Sequence, residues 1–444
     1  MLRIKKERIK TFILLILISS SLFLTYIIVG YKTNYEILGG IIEGKQENQN
    51  ITKIQQNSLN LLSPYIIIKN NVNAMEEQAL PNTITKVSNV EAIKNKNNIS
   101  QIIKELSDLD VEVSRISNNS INDIITQSKN YFIMKYKNDI DTLSSQVLYS
   151  DVDKQAINLD IDTILLSDSK DNILYFYKNG TENYMQVVFK ENIYKRIDDL
   201  FVKNSKTYNK YVIAGSRDFY VKKVADYTID EYNTYKVDIK DVFNDIFSAK
   251  GNVKISTLAS ETKEITDGYS ILRQNADSMI YINPSNMINN ARILKSSEIQ
   301  SEATSFLISS YLPNSYYSTL GIDGDTISYQ EVYKEGFAFS DDLTSDIKVK
   351  VTKEGVAQLT IPRVHKEALV SSSKLPLYHL ENIAVVLNYI YAKLDIEKFM
   401  DMELAYKKTY KKDRIIYSPA WYINYDGKYY KFSDLKEKRV KGEL

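Results

Sequence analysis

The 444-residue chain has no cysteine, two histidines, one tryptophan, 14 glycines and 7 prolines. Without cysteine it can make no disulfide, thiol nucleophile or thiolate metal site. An oxidising compartment permits disulfides but does not require them in a chain with room for a large core. Charge of one sign is also lacking, with 57 basic residues against 56 acidic. A chain this balanced does not read as a nucleic-acid-binding surface. Long apolar runs are absent too, with one exception at the start.

That exception is Thr11 to Gly30, TFILLILISSSLFLTYIIVG, which carries no charge. Twenty apolar residues suffice to cross a bilayer core as a helix. Five basic residues and one acidic residue precede the run, and positive flanks stay cytoplasmic. A cleaved signal would have a shorter apolar core ending in small residues, whereas this run continues through Tyr26, Ile27, Ile28 and Val29. The expected topology is a cytoplasmic tail at 1–10, a transmembrane helix at 11–30 and everything else outside the cell membrane. Beyond the tail the count is 52 basic to 55 acidic, slightly negative, which argues against a polybasic membrane patch outside the anchor.

Residues 31–62 read as a juxtamembrane linker. Patterning then mixes strands, helices and hairpins, which predicts an α+β class rather than a parallel doubly wound sheet. ISQIIKEL at 99–106 has helical spacing, and VEVSRIS at 111–117 alternates as a strand does. Asn179-Gly180 and Asp426-Gly427 signal two-residue hairpins. Asp238 is a candidate N-cap for the helix carrying Val242, Ile246 and Phe247. Helices are also expected at 296–312 and 380–395. Lengths and breaks suggest three exterior α+β domains at 63–160, 161–322 and 323–444.

The chemistry is sparse. His365 and His379 have no metal-type neighbour at i+3 or i+4, and read as surface or helix-start residues. Asp160 with Asp162, Asp230 with Glu231, and Asp323 with Asp325 read as loop acids, since Ile327 breaks the calcium-loop template. Ser167 and Ser371 each open an S-x-x-K string, but the K-T-G strand that accompanies a serine acylation site is missing. No catalytic, metal or cofactor set is expected. In the anchor, Ser21 and Thr25 lie one helical turn apart, a spacing that favours close helix–helix packing. They are the candidate interaction residues.

Read together, both ends of the chain resemble the YycH (WalH) family. The start IKTFILLILISSSLFLTYIIVGYKTNYEIL carries part of the likeness. SPYIIIK at 63–69, TDGYSIL at 266–272, YINP at 281–284, GFAF at 336–339 and SPAWYINYDGKYYKF at 418–432 carry the rest, in order. The least family-like stretch is 70–137. The resemblance implies a non-enzymatic accessory regulator of a WalK-type sensor histidine kinase. It would act with a YycI-type single-pass protein through transmembrane and exterior contacts. It also implies a YycI-like final domain, here 323–444.

Two other readings remain open, an exterior binding module for a wall or peptide ligand and a serine-dependent envelope enzyme. The enzyme would show a polar cleft around Ser167 or Ser371 with a lysine close by. The binding module would show one deep lined pocket. The regulator would show an exposed apolar face instead.

Overall fold

The computed structural model describes residues 61–441, leaving out 62, 72–83, 118–119, 142–158, 182, 214–217, 223–226, 248–253, 258–261, 288–293, 314 and 376–379. The expected anchor, with Ser21 and Thr25, and His379 lie outside the described residues. Among those described, no helix is long and apolar enough to cross a membrane.

Two large sheets dominate, which bears out the mixed α+β expectation. The first has nine strands in the order β3-β7-β6-β5-β4-β1-β2-β8-β9. They are β1 (Ile66–Asn71), β2 (Ile84–Ile93), β3 (Val111–Ser117), β4 (Asn130–Asp141), β5 (Asp160–Ser167), β6 (Lys170–Tyr177), β7 (Tyr184–Phe189), β8 (Lys206–Ile213) and β9 (Phe219–Lys222). Helices α1 (Lys96–Ser107), α2 (Ile121–Thr126) and α3 (Tyr194–Asn204) accompany it. Helix α1 starts at the Asn95 cap and buries Ile99, Ile102, Ile103 and Leu106, the i, i+3, i+4, i+7 stripe of its sequence.

The second sheet has fourteen strands. Its first part contains β10 (Thr228–Lys236), β11 (Lys254–Thr257), β12 (Lys263–Thr266), β13 (Ile271–Gln274), β14 (Ser278–Ile282), β15 (Tyr316–Asp323), β16 (Thr326–Tyr333) and β17 (Gly336–Ser340). The remainder are β18 (Asp346–Thr352), β19 (Gly355–Pro362), β20 (Val364–Lys374), β21 (Phe399–Lys411), β22 (Arg414–Tyr425) and β23 (Lys428–Lys431). Helices α4 (Ile239–Ile246), α5 (Ser296–Ser309), α6 (Ile383–Lys393) and α7 (Phe432–Lys441) pack on it. Asp238 caps α4 in a capping box with Asp241, as its sequence predicts.

These sheets group the residues differently from the expected division. Position 160/161 falls inside the first sheet, where β4 pairs with β5 and β5 begins at Asp160. The second sheet begins before 323, at β10. Local patterning marks where strands start but not which strands pair, so long-range pairing was invisible to it. The first core cluster runs through both sheets, from Phe132 and Phe176 to Ile327 and Leu359.

Pairing among the described strands is antiparallel except where β17 runs parallel to β21. That contact joins the two halves of the second sheet, and it explains Gly336 at the head of the GFAF motif. A Cβ there would lie 2.6 Å from the Leu404 carbonyl oxygen and 3.1 Å from the Ala405 Cα. Both are backbone atoms and cannot swing aside. Gly336→Ala is expected to cost about 1–3 kcal/mol by overpacking, read as a lowered thermal midpoint. An unchanged midpoint would show that the joint has slack.

The Asp426-Gly427 turn forms as expected, with Tyr425 opposite Lys428 and φ of 53° and 78° at the two turn residues. Positive φ at both positions is the type I′ requirement. Asn179-Gly180 instead sits in a wider connection, because the last β6–β7 pair is Tyr177 with Tyr184. Asp162 accepts a hydrogen bond from the Asn179 amide at 3.0 Å, holding that wider loop.

Candidate functional site

The serine strings do not assemble a catalytic pair. Ser167 ends β5, fully buried, in a hydroxyl cluster with Ser128 and with Ser169 at 2.7 Å. Lys170 begins the next strand and is exposed. Ser371 lies in β20, not in a loop, and its hydroxyl donates to Glu231 at 3.2 Å. The loop reading of SSSK failed because serine is common in turns, whereas here β10 supplies a full ladder partner.

His365 is also corrected. It is buried in β20, and burial pushes its imidazole down to about 4, so it is neutral at physiological pH. Its Nε2 finds no hydrogen-bond partner. Asp323 and Asp325 flank the turn of Gly324, and Asp325 pairs with Lys350 at 3.3 Å. Asp160 begins β5 and is exposed. Among the described residues no group of three His, Asp or Glu side chains is placed to hold a metal.

Asp230 behaves differently from the loop acid expected of it. It is 2% exposed and accepts from Tyr333 at 2.5 Å and Ser372 at 2.5 Å, and it pairs with Lys334. Through Tyr333 it joins a larger network. Tyr333 and Tyr417 stack at 4.1 Å, with Tyr232 edge-on to both. Behind them sits Glu331, which pairs with Lys408 at 2.8 Å and Lys366 at 3.0 Å and accepts from Tyr417 at 3.2 Å. Burial alone would raise the Glu331 carboxyl, but the two ammonium groups hold it well below the usual carboxylate range.

The paired strings Tyr329-x-Glu331-x-Tyr333 and Tyr406-x-Lys408-x-Tyr410 carry this network. Their period of two is a strand signal. It escapes an apolar count because the middle inward residue of each string is charged.

A second charged group lies where the two sheets meet. Lys137 of β4 reaches Glu403 at 3.1 Å, Asp401 at 3.3 Å and the Tyr429 hydroxyl at 3.2 Å. Its ammonium also lies 4.4 Å from the centre of the Phe337 ring, a cation–π contact. Burial would lower the Lys137 pKa, but Glu403, Tyr429 and Asp401 carry it well above the ordinary value. Nearby, the Tyr208 hydroxyl and Lys222 of the first sheet both contact Glu335 of the second, at 3.0 and 3.3 Å.

Two small cavities adjoin this junction, about 20 and 30 Å³, both bordered by Tyr65, Lys94, Lys137 and Glu403. Each has room for about one water molecule and is too small for an organic ligand. Lys96, also at this junction, donates to the carbonyls of Ser63 at 3.0 Å and Pro64 at 2.8 Å. Those are among the first residues described. A larger open groove of about 440 Å³ is bordered by Leu294, Glu298, Glu302 and Glu354. It contains no histidine or serine.

Trp421 belongs to the core. It is buried under α6 and donates to the Glu381 carbonyl at 2.8 Å. Above it, α6 is mostly apolar, yet only Val386 and Ile390 are fully buried. Val385 and Tyr391 are 53% and 63% exposed.

The class defined by these features is an α+β fold of two largely antiparallel sheets, held together by a shared apolar core and buried ion pairs. Among solved structures the chain is similar to the crystal structure of YycH from Bacillus subtilis. The TM-score is 0.58, the identity is 13%, and the alignment covers 84% of this chain and 96% of that one. The resemblance read from sequence motifs is therefore matched by the fold. No family model and no curated protein matches.

Proposed function

We propose that this chain is a YycH-type accessory protein. It is anchored by residues 11–30, with its cytoplasmic tail inside and the two-sheet region outside, and it tunes a WalK-type sensor histidine kinase. It does so without catalysis, together with a YycI-type single-pass protein. The carrying observation is fold likeness over 96% of the YycH structure, joined to motifs that occur in family order. Those motifs fall at structural joints: β1, the turn before β13, the end of β14, the β17 seam and the β22–β23 hairpin. A single helix biases a kinase only through different contacts with its two states, and Ser21 and Thr25 are the residues assigned to that contact.

The test is expression of residues 1–35, and separately the full chain, in a strain lacking the protein. The cognate regulator's target genes are the readout. Restoration by both supports signalling through the helix. No response to either sinks the proposal. Ser21→Leu with Thr25→Leu in the full chain is expected to reduce crosslinking to the kinase or the partner several-fold. Undiminished crosslinking to both would remove these residues from the interface.

A further inference from the structure

We propose that α6 and α7 together form a docking surface for an anionic lipid bilayer. The inference rests on the proposed anchoring only in that the anchor brings this surface near a membrane.

Helix α6 carries no charged residue until its final one, Lys393. One side packs on the cluster of Trp421, Ile423 and Phe432. The other side carries Ala384, Val385, Asn388, Tyr391 and Ala392, all exposed. A helix with protein on one side and water on the other normally carries charge on its wet face. This face has none, so an apolar environment suits it.

Helix α7 decides which environment. It lies along the Tyr389 side of α6, with the Tyr389 and Phe432 rings edge-on at 5.4 Å and Lys436 paired to Glu381 at 3.3 Å. Its last turn carries Lys438, Arg439 and Lys441, none in a salt bridge among the described residues. Val440, 87% exposed, sits among them. Across the two helices there are five basic side chains against two acidic, while the chain as a whole is nearly neutral. The even bulk charge therefore conceals a local basic end.

An uncharged face bearing a tyrosine, bordered by lysine and arginine, complements lipid acyl chains edged by anionic headgroups. The fully buried core of a protein–protein interface, in contrast, is depleted of lysine. Placement agrees. The cluster beneath α6 includes Phe219 and Met402, which border a junction cavity together with Tyr65. Tyr65 lies two residues beyond Ser63, so this surface and the point where the N-terminal chain joins the sheets belong to one region. Residues 31–60 span at most about 100 Å when extended, enough for that region to reach the bilayer.

The chain has no cysteine, so single nitroxide labels can be placed cleanly. The full chain would be reconstituted in nanodiscs of phosphatidylcholine alone or with phosphatidylglycerol. Labels would sit at Tyr391→Cys, at the remote exposed Tyr269→Cys, and at Ser21→Cys to report the anchor.

The expected result is an oxygen-rich, nickel-poor environment at position 391 in the anionic discs only. It should be lost in high salt and lost with Lys438→Glu, Arg439→Glu and Lys441→Glu together, while position 269 stays aqueous. An aqueous label at 391 in both lipids overturns the inference, and a membrane-buried label at 21 in the same discs leaves the anchor standing. Shielding of 391 only when a protein partner is added would also overturn it, assigning the face to protein. If the label at 21 is aqueous, the anchoring reading fails, and the label at 391 still decides the surface.

Discussion

Glu331→Gln is expected to destabilise the folded protein by about 3–5 kcal/mol, the usual cost of removing one partner from a buried ion pair. The glutamine keeps the shape and an acceptor for Tyr417. It leaves the ammonium groups of Lys408 and Lys366, at 2.8 and 3.0 Å, without a counter-charge. Urea unfolding followed through Trp421, the one tryptophan, measures the loss. Adding Lys408→Met removes one stranded charge and should recover part of it, so the cycle closes with a favourable coupling term. Additive losses would show that the two side chains do not act as a pair. The pH dependence follows from the same contact. The Glu331 carboxyl is held below its ordinary value, so its contribution is fully present above about pH 4.5 and drains away as pH falls below that.

Lys96 gives the opposite dependence. It is 4% exposed. Burial, assisted by nearby Lys137, lowers its pKa to about 7 from the ordinary 10.5. Between those values the unfolded chain holds a proton that the folded chain has released, so stability rises with pH. The slope approaches about 1.4 kcal/mol per pH unit, for a total near 4 kcal/mol between pH 7 and 10. Lys94 is lowered by burial as well and adds in the same direction. Above pH 10 the buried tyrosines, Tyr208 and Tyr406 among them, reverse the trend. Burial raises their pKa values, and unfolded tyrosines ionise first. Lys96→Met should flatten most of the rise between pH 7 and 10. An unchanged slope would assign it to other groups. Because Lys96 holds the carbonyls of Ser63 and Pro64, its proton also bears on how firmly that segment is fixed to the sheets.

Where apolar periodicity marks an element, the sequence was a good guide. The strand at 111–117 appears within the bounds its alternation implies, and the stripe of α1 is the one its spacing requires. The Asp426-Gly427 turn is where its chemistry places it. Among the strands that went unread are β10, β20 and β21. Their inward positions carry Asp230, His365, Glu403 and Lys408, polar groups that pattern reasoning sends to solvent. They are buried because partners on distant strands neutralise or enclose them, and no local window contains those partners. The same limit hid the junction, where Lys137 meets Asp401 and Glu403 more than 260 positions later. The basic end at α7 was hidden for a simpler reason, since a whole-chain charge count averages over it.

The place of β10 in the second sheet has a consequence for how the protein is made. It lies between β22 and β20, which follow it by more than a hundred residues. Synthesis from the N-terminus delivers β10 first, and both edges of that strand stay unpaired until most of the rest has been made. Unpaired edges invite association with other chains. The composition of β10, TIDEYNTYK, suits this wait. Its acids and polar side chains keep it soluble alone, and Lys334, Arg414, Ser371 and Ser372 from later in the chain turn those same acids into bonds that close the sheet.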